Sequence, residues 1–286
     1  MSQPINSSRN PKPNRSFGSH WIRSAWWVLL LVPAQAGEPL DRPAPGDDAT
    51  YRTTVMVRKG TALGTGTIIG SVEGETLILT AAHVVEESGP LFIELYRYNL
   101  GWERTRSTAG FPRRLPATLA ARDRDADLAI LRVRGQLALP YVVRIAPDDR
   151  HIAPGTPVTS IGFDRGEKLI GFPSRVRRFD RVDMDHGGGD RPFLITDHPP
   201  EVGRSGGGLF LADGTLVGVC IARAELKPGL VRGLYSTVGN VWNLLEAHDK
   251  LAGVVARSNP VVAAAKPESK AKVPQINRTG DRLRAN

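Results

Sequence analysis

The sequence predicts an all-β protein of two barrels, closed by one short helix near the C-terminus. Three observations lead there. Short apolar, β-prone runs recur at close intervals with turn residues between them. They fall into two sets, separated by a proline-containing stretch, Ala153-Pro-Gly-Thr-Pro157. Helical spacing of apolar residues occurs once, after the last run.

In chain order, the first set comprises Tyr51–Arg58, Gly66–Gly70, Thr76–Ala81, Leu91–Tyr96, Leu115–Ala121 and Leu128–Val133. Each is a brief run of residues suited to a pleated, half-buried surface. Glu73-Gly74 is a hairpin signal between two of them. Leu139–Ile145 and the stretch after it read as the bridge between halves. The second set is Val158–Gly162, Lys168–Arg175, Phe193–Thr196, Gly208–Leu211, Leu216–Ile221 and Leu234–Thr237, with Asp213-Gly214 as a further hairpin turn. Val238, Val241, Leu244, Leu245, His248 and Leu251 then recur at helical spacing, predicting one helix through about Leu251.

The ends differ from the body. Residues 1–24 carry Arg9, Lys12, Arg15 and Arg23 without an acid, followed by Ala25-Trp-Trp-Val-Leu-Leu-Leu-Val32 and then Ala34-Gln-Ala36. A basic start, a short apolar core and an A-x-A ending predict a signal peptide over 1–36, and hence export to the periplasm or medium, while the long basic start leaves an uncleaved anchor or a misplaced start codon as alternatives. The apolar core is shorter than the ~20 residues a membrane-spanning helix needs. Residues 37–50 read as a linker rich in Pro, Gly and Asp, 51–252 as one folded domain, and 253–286 as a basic, disordered tail. Of 38 basic and 29 acidic residues, four basic lie in 1–36, and seven basic with two acidic lie in 257–286. That leaves 27 of each between, so the high pI gives no case for a nucleic-acid-binding surface on the body. The tail itself reads as a solvated segment with no partner, with weak association with anionic envelope components as the functional alternative. Cys220 is the only cysteine, so no intrachain disulfide forms; it reads as a small buried hydrophobe.

Three strings carry chemistry. Thr80-Ala-Ala-His83-Val84-Val85 puts an imidazole just past an apolar strand, Leu77–Ala81. Asp127 stands between the charged residues 122–125 and the apolar run Leu128–Leu131, at a strand's entry, where a carboxylate is partly desolvated. Gly203-Arg-Ser205-Gly-Gly207 sets a serine among glycines, which allow positive φ and let N–H groups converge on one point. A serine hydroxyl is a poor nucleophile until a neighbouring imidazole takes its proton. The imidazole needs a carboxylate to fix its tautomer and stabilise its charged form. His83, Asp127 and Ser205 are therefore the candidate catalytic residues, with the N–H groups of Gly203 and Ser205 as the candidate oxyanion hole. The order His, Asp, Ser differs from the α/β-hydrolase and subtilisin orders.

On these strings, together with Gly64-Thr-Gly-Thr-Ile-Ile-Gly70 and Leu216-Val-Gly-Val219, the chain resembles the trypsin-like serine peptidases, close to the protease domain of the HtrA/Deg group. The resemblance covers roughly 50–250. It implies the chymotrypsin-like fold of two six-stranded antiparallel β-barrels with the site between them. It also implies peptide-bond hydrolysis of protein or peptide substrates through an acyl-enzyme, with no cofactor and no metal. Two positions depart from the usual GNSGGP: Arg204 replaces Asn, adding a cation expected beside the oxyanion hole, and Gly208 replaces Pro. These departures keep a second reading open, a catalytically latent protease-fold binding or scaffold protein. An esterase using the same triad is a third, without the α/β-hydrolase nucleophile elbow. No PDZ-like segment is expected after the closing helix. By resemblance the specificity pocket has Pro199 at its base and Cys220, Ile221, Ala222 and Arg223 along one wall. Without an acid at its base, it favours a small or medium apolar P1 residue; an inward Arg223 would favour an acidic one. Asp183, Asp185, His186 and Asp190 surround Gly187-Gly-Gly189, but their spacing matches no calcium loop and reads as a hairpin tip. His198 lies near the nucleophile turn and reads as structural.

Overall fold

The computed structural model describes residues 48–101, 110–135, 137–182 and 191–258. The expected signal peptide, nearly all of the linker, the glycine cluster around Asp183–Asp190 and the tail beyond Ser258 lie outside the described residues. No helix among the described residues is long and apolar enough to cross a membrane.

Six strands form a closed antiparallel barrel: β1 (Thr54–Lys59), β2 (Ala62–Val72), β3 (Glu75–Ala81), β4 (Leu91–Leu95), β5 (Arg113–Asp123) and β6 (Leu128–Arg134), in the order β1-β2-β3-β6-β5-β4. Val55, Val57, Ile68, Leu77, Leu79, Ile93, Leu128 and Ile130 are buried in its core. Closure leaves no unpaired strand edge. The β3–β6 register decides where the chemistry falls. Ala81, the last residue of β3, pairs with Leu128, the first of β6. The residues just beyond these two strand ends, His83 and Asp127, are thereby neighbours on one rim.

A second sheet contains β7 (Arg144–Ile145), β8 (Pro157–Asp164), β9 (Lys168–Val182), β10 (Arg191–Thr196), β11 (Gly208–Phe210), β12 (Thr215–Lys227) and β13 (Leu230–Thr237). Its order is β11-β8-β9-β10-β13-β12-β7. Since β11 also pairs with β12, the six strands β8 to β13 form a ring, with β7 added in parallel on β12. The fold is the expected all-β pair of six-stranded barrels.

Two differences from the sequence reading have local causes. The chain at Tyr51 is not yet a strand: a short helix, α1 (Asp48–Arg52), precedes β1. The hydroxyls of Thr53 and Thr54 both donate to the Thr50 carbonyl and tie down the helix end. The single closing helix is two, α2 (Val238–Glu246) and α3 (Asp249–Ser258). The Thr237 hydroxyl caps α2 by accepting from the Asn240 N–H. The break falls at Ala247-His248, and Asp249 opens α3 with an acid in its first turn. Both helices bury apolar stripes, so one unbroken periodicity spans the break. Val254 and Val255 of α3 pack on β2, where Gly70 leaves room for them, carrying the packed chain past the expected boundary at 252.

Candidate active site

His83 sits in a short 3-10 turn, Ala82–Val85, directly after β3. Asp127 closes the Arg124–Asp127 turn before β6 with φ 51°, a left-handed conformation that aspartate tolerates better than most residues. The Asp123 carboxylate holds that turn, accepting from the N–H groups of Asp125 and Ala126. The Asp127 carboxylate then grips His83 twice. Oδ1 accepts from the His83 backbone N–H at 2.9 Å, and Oδ2 lies 2.6 Å from Nδ1. A carboxylate accepts, so Nδ1 carries the proton and Nε2 keeps its lone pair. Burial alone would lower the His83 pKa. The hydrogen bond and charge of Asp127, with the nearby charge of Glu86, outweigh it and raise the pKa above its ordinary 6.5.

Ser205 lies on a turn wedged between the barrels. Its carbonyl accepts from the Thr65 N–H of β2 at 2.8 Å. The Thr65 hydroxyl, fully buried, donates to the Gly203 carbonyl and accepts from the Phe163 N–H, both at 2.9 Å. One threonine of the first barrel thus fixes both the Ser205 turn and β8 of the second. On the other flank, the Gly206 N–H donates to the Cys220 carbonyl at 2.7 Å and the Cys220 N–H donates to the Gly207 carbonyl at 2.8 Å. Gly206 has φ 84°, and a Cβ there would lie 2.1 Å from the Thr65 carbonyl. At Gly208 a Cβ would meet the Phe210 ring at 2.3 Å, so a larger residue there displaces that buried ring.

The orientation of the peptide groups is informative. The Val202 carbonyl accepts from the Arg165 N–H at 2.6 Å, and the Arg204 carbonyl accepts from the Gly207 N–H at 2.8 Å. In a planar trans peptide the N–H points opposite to the carbonyl, so the Gly203 and Ser205 N–H groups are directed away from these contacts. Neither has a hydrogen-bond partner among the described residues. The Ser205 hydroxyl donates to the Ile221 carbonyl at 3.3 Å; no hydrogen bond joins it to His83 among the described residues.

Arg204 corrects an expectation. Its side chain is fully buried and runs into the second barrel rather than beside the oxyanion hole. Of the residues expected around the specificity pocket, Pro199 and Ala222 are half-buried and Arg223 is exposed. Arg223 faces Glu201 at 4.0 Å, so the two segments stand opposite each other. Ile221 is buried and offers its carbonyl. Cys220 is fully buried beside Tyr235, and burial pushes its thiol up to about 12. No group of acidic, histidine or cysteine side chains suited to a metal occurs among the described residues. Thr65, Asp164, Arg165 and Glu201 were not singled out from sequence. Only Thr65 had a signal, the flanking glycines of Gly64-Thr65-Gly66.

The model of the trypsin-like peptidase domain family matches residues 64–219, and the chain belongs to that family. A protein of Arabidopsis thaliana described as protease Do-like 14 is 29% identical over 206 residues, covering 70% of this chain and 44% of its own length. The chain therefore spans less than half of that curated relative. Among solved structures, the active form of the Rv3671c protease from M. tuberculosis matches with a TM-score of 0.54 and 23% identity, covering 73% of this chain and 92% of its own. The HtrA-type protease AlgW with a tripeptide matches with a TM-score of 0.55 and 21% identity, covering 72% and 63%. At these identities the structural likeness establishes the shared two-barrel fold.

Proposed function

We propose that the protein is an exported serine endopeptidase that cleaves protein or peptide substrates through an acyl-enzyme. The observation that carries the proposal is the grip of Asp127 on His83, which leaves Nε2 with a free lone pair to act as base. Rotation of the Ser205 hydroxyl from the Ile221 carbonyl toward Nε2 starts the reaction. Oγ attacks the scissile carbonyl carbon while His83 takes its proton. The negative oxygen of the tetrahedral intermediate falls to the Gly203 and Ser205 N–H groups. Collapse expels the amine with the proton from His83, and water, activated by the same imidazole, releases the acyl group. The Ile221 carbonyl, freed by that rotation, is available to a substrate N–H.

Arg223 has its charge met by Glu201. This supports a small or medium apolar P1 residue over an acidic one. Export rests on the 1–36 segment, and fractionation of the producing cell tests it.

The second reading, a latent protease-fold binding protein, draws on the Ser205–Ile221 hydrogen bond. Against it stand the two unengaged N–H groups, which a collapsed hole would turn inward. Labelling the full chain with a fluorophosphonate, beside Ser205→Ala and His83→Ala, separates the readings. Labelling of the parent alone is the expected result. A folded parent that does not label, and cleaves no peptide library, overturns the peptidase reading.

A further inference from the structure

A buried cation next to the nucleophile demands a reason. Arg204 has no exposed surface, although a guanidinium is costly to desolvate unless it is paired and hydrogen-bonded. Its partners all belong to the β8–β9 hairpin. Nε and Nη2 lie 2.8 and 2.7 Å from Asp164 Oδ1, and Nη1 donates to the carbonyls of Ser160 at 2.7 Å and Ile170 at 3.1 Å. The guanidinium also lies 4.4 Å from the centroid of the Phe172 ring. Gly162 makes the path: a Cβ there would come within 2.8 Å of Arg204 Cγ. One side chain therefore joins the residue before Ser205 to both strands of the hairpin and to Asp164, which opens its turn.

That turn is in contact with the oxyanion hole. The Glu167 N–H donates to the Asp164 carbonyl, and Arg165, at φ 53°, directs its N–H to the Val202 carbonyl. Gly203 sits against the same turn; a Cβ on it would meet the Phe163 carbonyl at 2.8 Å and the Arg165 nitrogen at 3.1 Å. If the Val202–Gly203 peptide flipped, the Gly203 N–H would face the Arg165 N–H, donor against donor. Its carbonyl would then occupy the place intended for the oxyanion. Whatever holds the hairpin turn in position over Gly203 therefore holds the hole open.

We propose that Arg204 and Asp164 form an internal strut that keeps the oxyanion hole assembled, acting as positioning residues for Ser205 catalysis. The proposal rests on the peptidase reading above. Neither side chain touches substrate; they act through the Arg165 N–H and the Val202 carbonyl.

The test is Arg204→Met with Asp164→Asn, which removes both charges together and so strands neither, an exchange that proteins often tolerate. Asp164→Asn and Arg204→Lys are made alongside. With folding checked by thermal denaturation, peptide turnover is split into kcat and KM. Binding of a peptide boronate, which forms a tetrahedral adduct on Ser205, is compared with binding of the matching product peptide. Loss of an ordered hole lowers kcat about 100-fold with KM little changed, the usual consequence of losing one oxyanion donor. It weakens the boronate far more than the product peptide. A folded double variant with parental kcat and boronate affinity overturns the strut. Should the double variant not fold, Asp164→Asn is read by the same split, with the same outcomes. A parent that neither labels nor turns over, while folded, removes the peptidase reading itself. A parent that labels beside an equally active variant removes only the strut.

Discussion

Replacing Thr65 by valine tests how much of the site depends on one hydroxyl. Valine matches threonine in shape, so the change leaves no cavity in a residue that is fully buried. It strands two buried backbone groups: the Gly203 carbonyl loses its donor and the Phe163 N–H its acceptor. A buried polar group left without its partner costs about 1–3 kcal/mol, so the pair costs roughly 2–6 kcal/mol. For a domain of this size each kcal/mol lowers Tm by about 2–4 °C, so a fall on the order of 10 °C is expected. The Thr65 backbone contacts to Ser205 and from the Thr80 hydroxyl survive the change. Thr65→Ser is the control, since it keeps the hydroxyl and loses one methyl, costing about 1 kcal/mol. Thermal unfolding of the two variants measures the difference. Turnover by the folded valine variant falls as well, because the Gly203 carbonyl sets one side of the nucleophile turn. If Thr65→Val matched Thr65→Ser in both Tm and kcat, the account of Thr65 as the joint between the barrels would be wrong.

Other perturbations have signs that follow from the geometry. Because His83 must be neutral to act as base and its pKa is raised, the acid limb of kcat/KM lies above pH 6.5; Glu86→Gln removes one raising charge and moves that limb to lower pH. A limb unmoved by the change would show that Glu86 is screened. The same shift enters stability: a raised histidine pKa contributes stabilisation that is fully present below about pH 6.5 and lost as pH rises through the folded value. His83→Gln should flatten that part of the Tm–pH curve, and an unchanged slope would locate the proton linkage elsewhere. Asp127→Asn keeps an amide oxygen for the His83 N–H but turns an NH2 donor toward Nδ1, imposing the wrong tautomer, and should lower kcat about 10,000-fold, read by burst and steady-state kinetics; a loss under tenfold would dismiss its role. Gly206→Ala places a Cβ 2.1 Å from both the Thr65 carbonyl and the Thr80 hydroxyl at a positive φ. It should abolish labelling of Ser205 even where a folded fraction is recovered, and parental labelling would contradict the packing.

The candidate site was legible because each of its groups carries its context in adjacent residues. An apolar strand ends just before His83, a charged turn gives way to a strand at Asp127, and glycines flank Ser205. The β3–β6 pairing that joins the first two was also within reach, since both runs are continuous and apolar. What escaped notice depends on distance along the chain. Thr65 meets Gly203 across 138 positions and Arg204 meets Asp164 across 40, and neither run of sequence states its partner. Arg204 reads as a cation beside the oxyanion hole because arginine is seldom fully buried; the Asp164 carboxylate, two strand carbonyls and the space at Gly162 make its burial tenable. The division of the last helix escaped for another reason. Residues on both sides of Ala247-His248 keep the apolar spacing of one helix, so periodicity could not reveal the break.

These contacts bear on whether the site is latent. The nucleophile turn is held from two directions by unlike means. On one side the first barrel supplies a neutral hydroxyl and a strand N–H, both from Thr65. On the other the second barrel supplies a buried ion pair and the Arg165 N–H. Collapse of the hole would require breaking the 2.6 Å contact to the Val202 carbonyl. By contrast, on the proposed mechanism Ser205 is activated by turning its hydroxyl away from the Ile221 carbonyl, which releases a 3.3 Å hydrogen bond, longer than is usual for a hydroxyl donor. On that reading the costly part of the geometry is the backbone proposed to receive the oxyanion, and these contacts hold it. The inexpensive part, the hydroxyl rotamer, is what substrate binding would change by taking the Ile221 carbonyl for its own N–H.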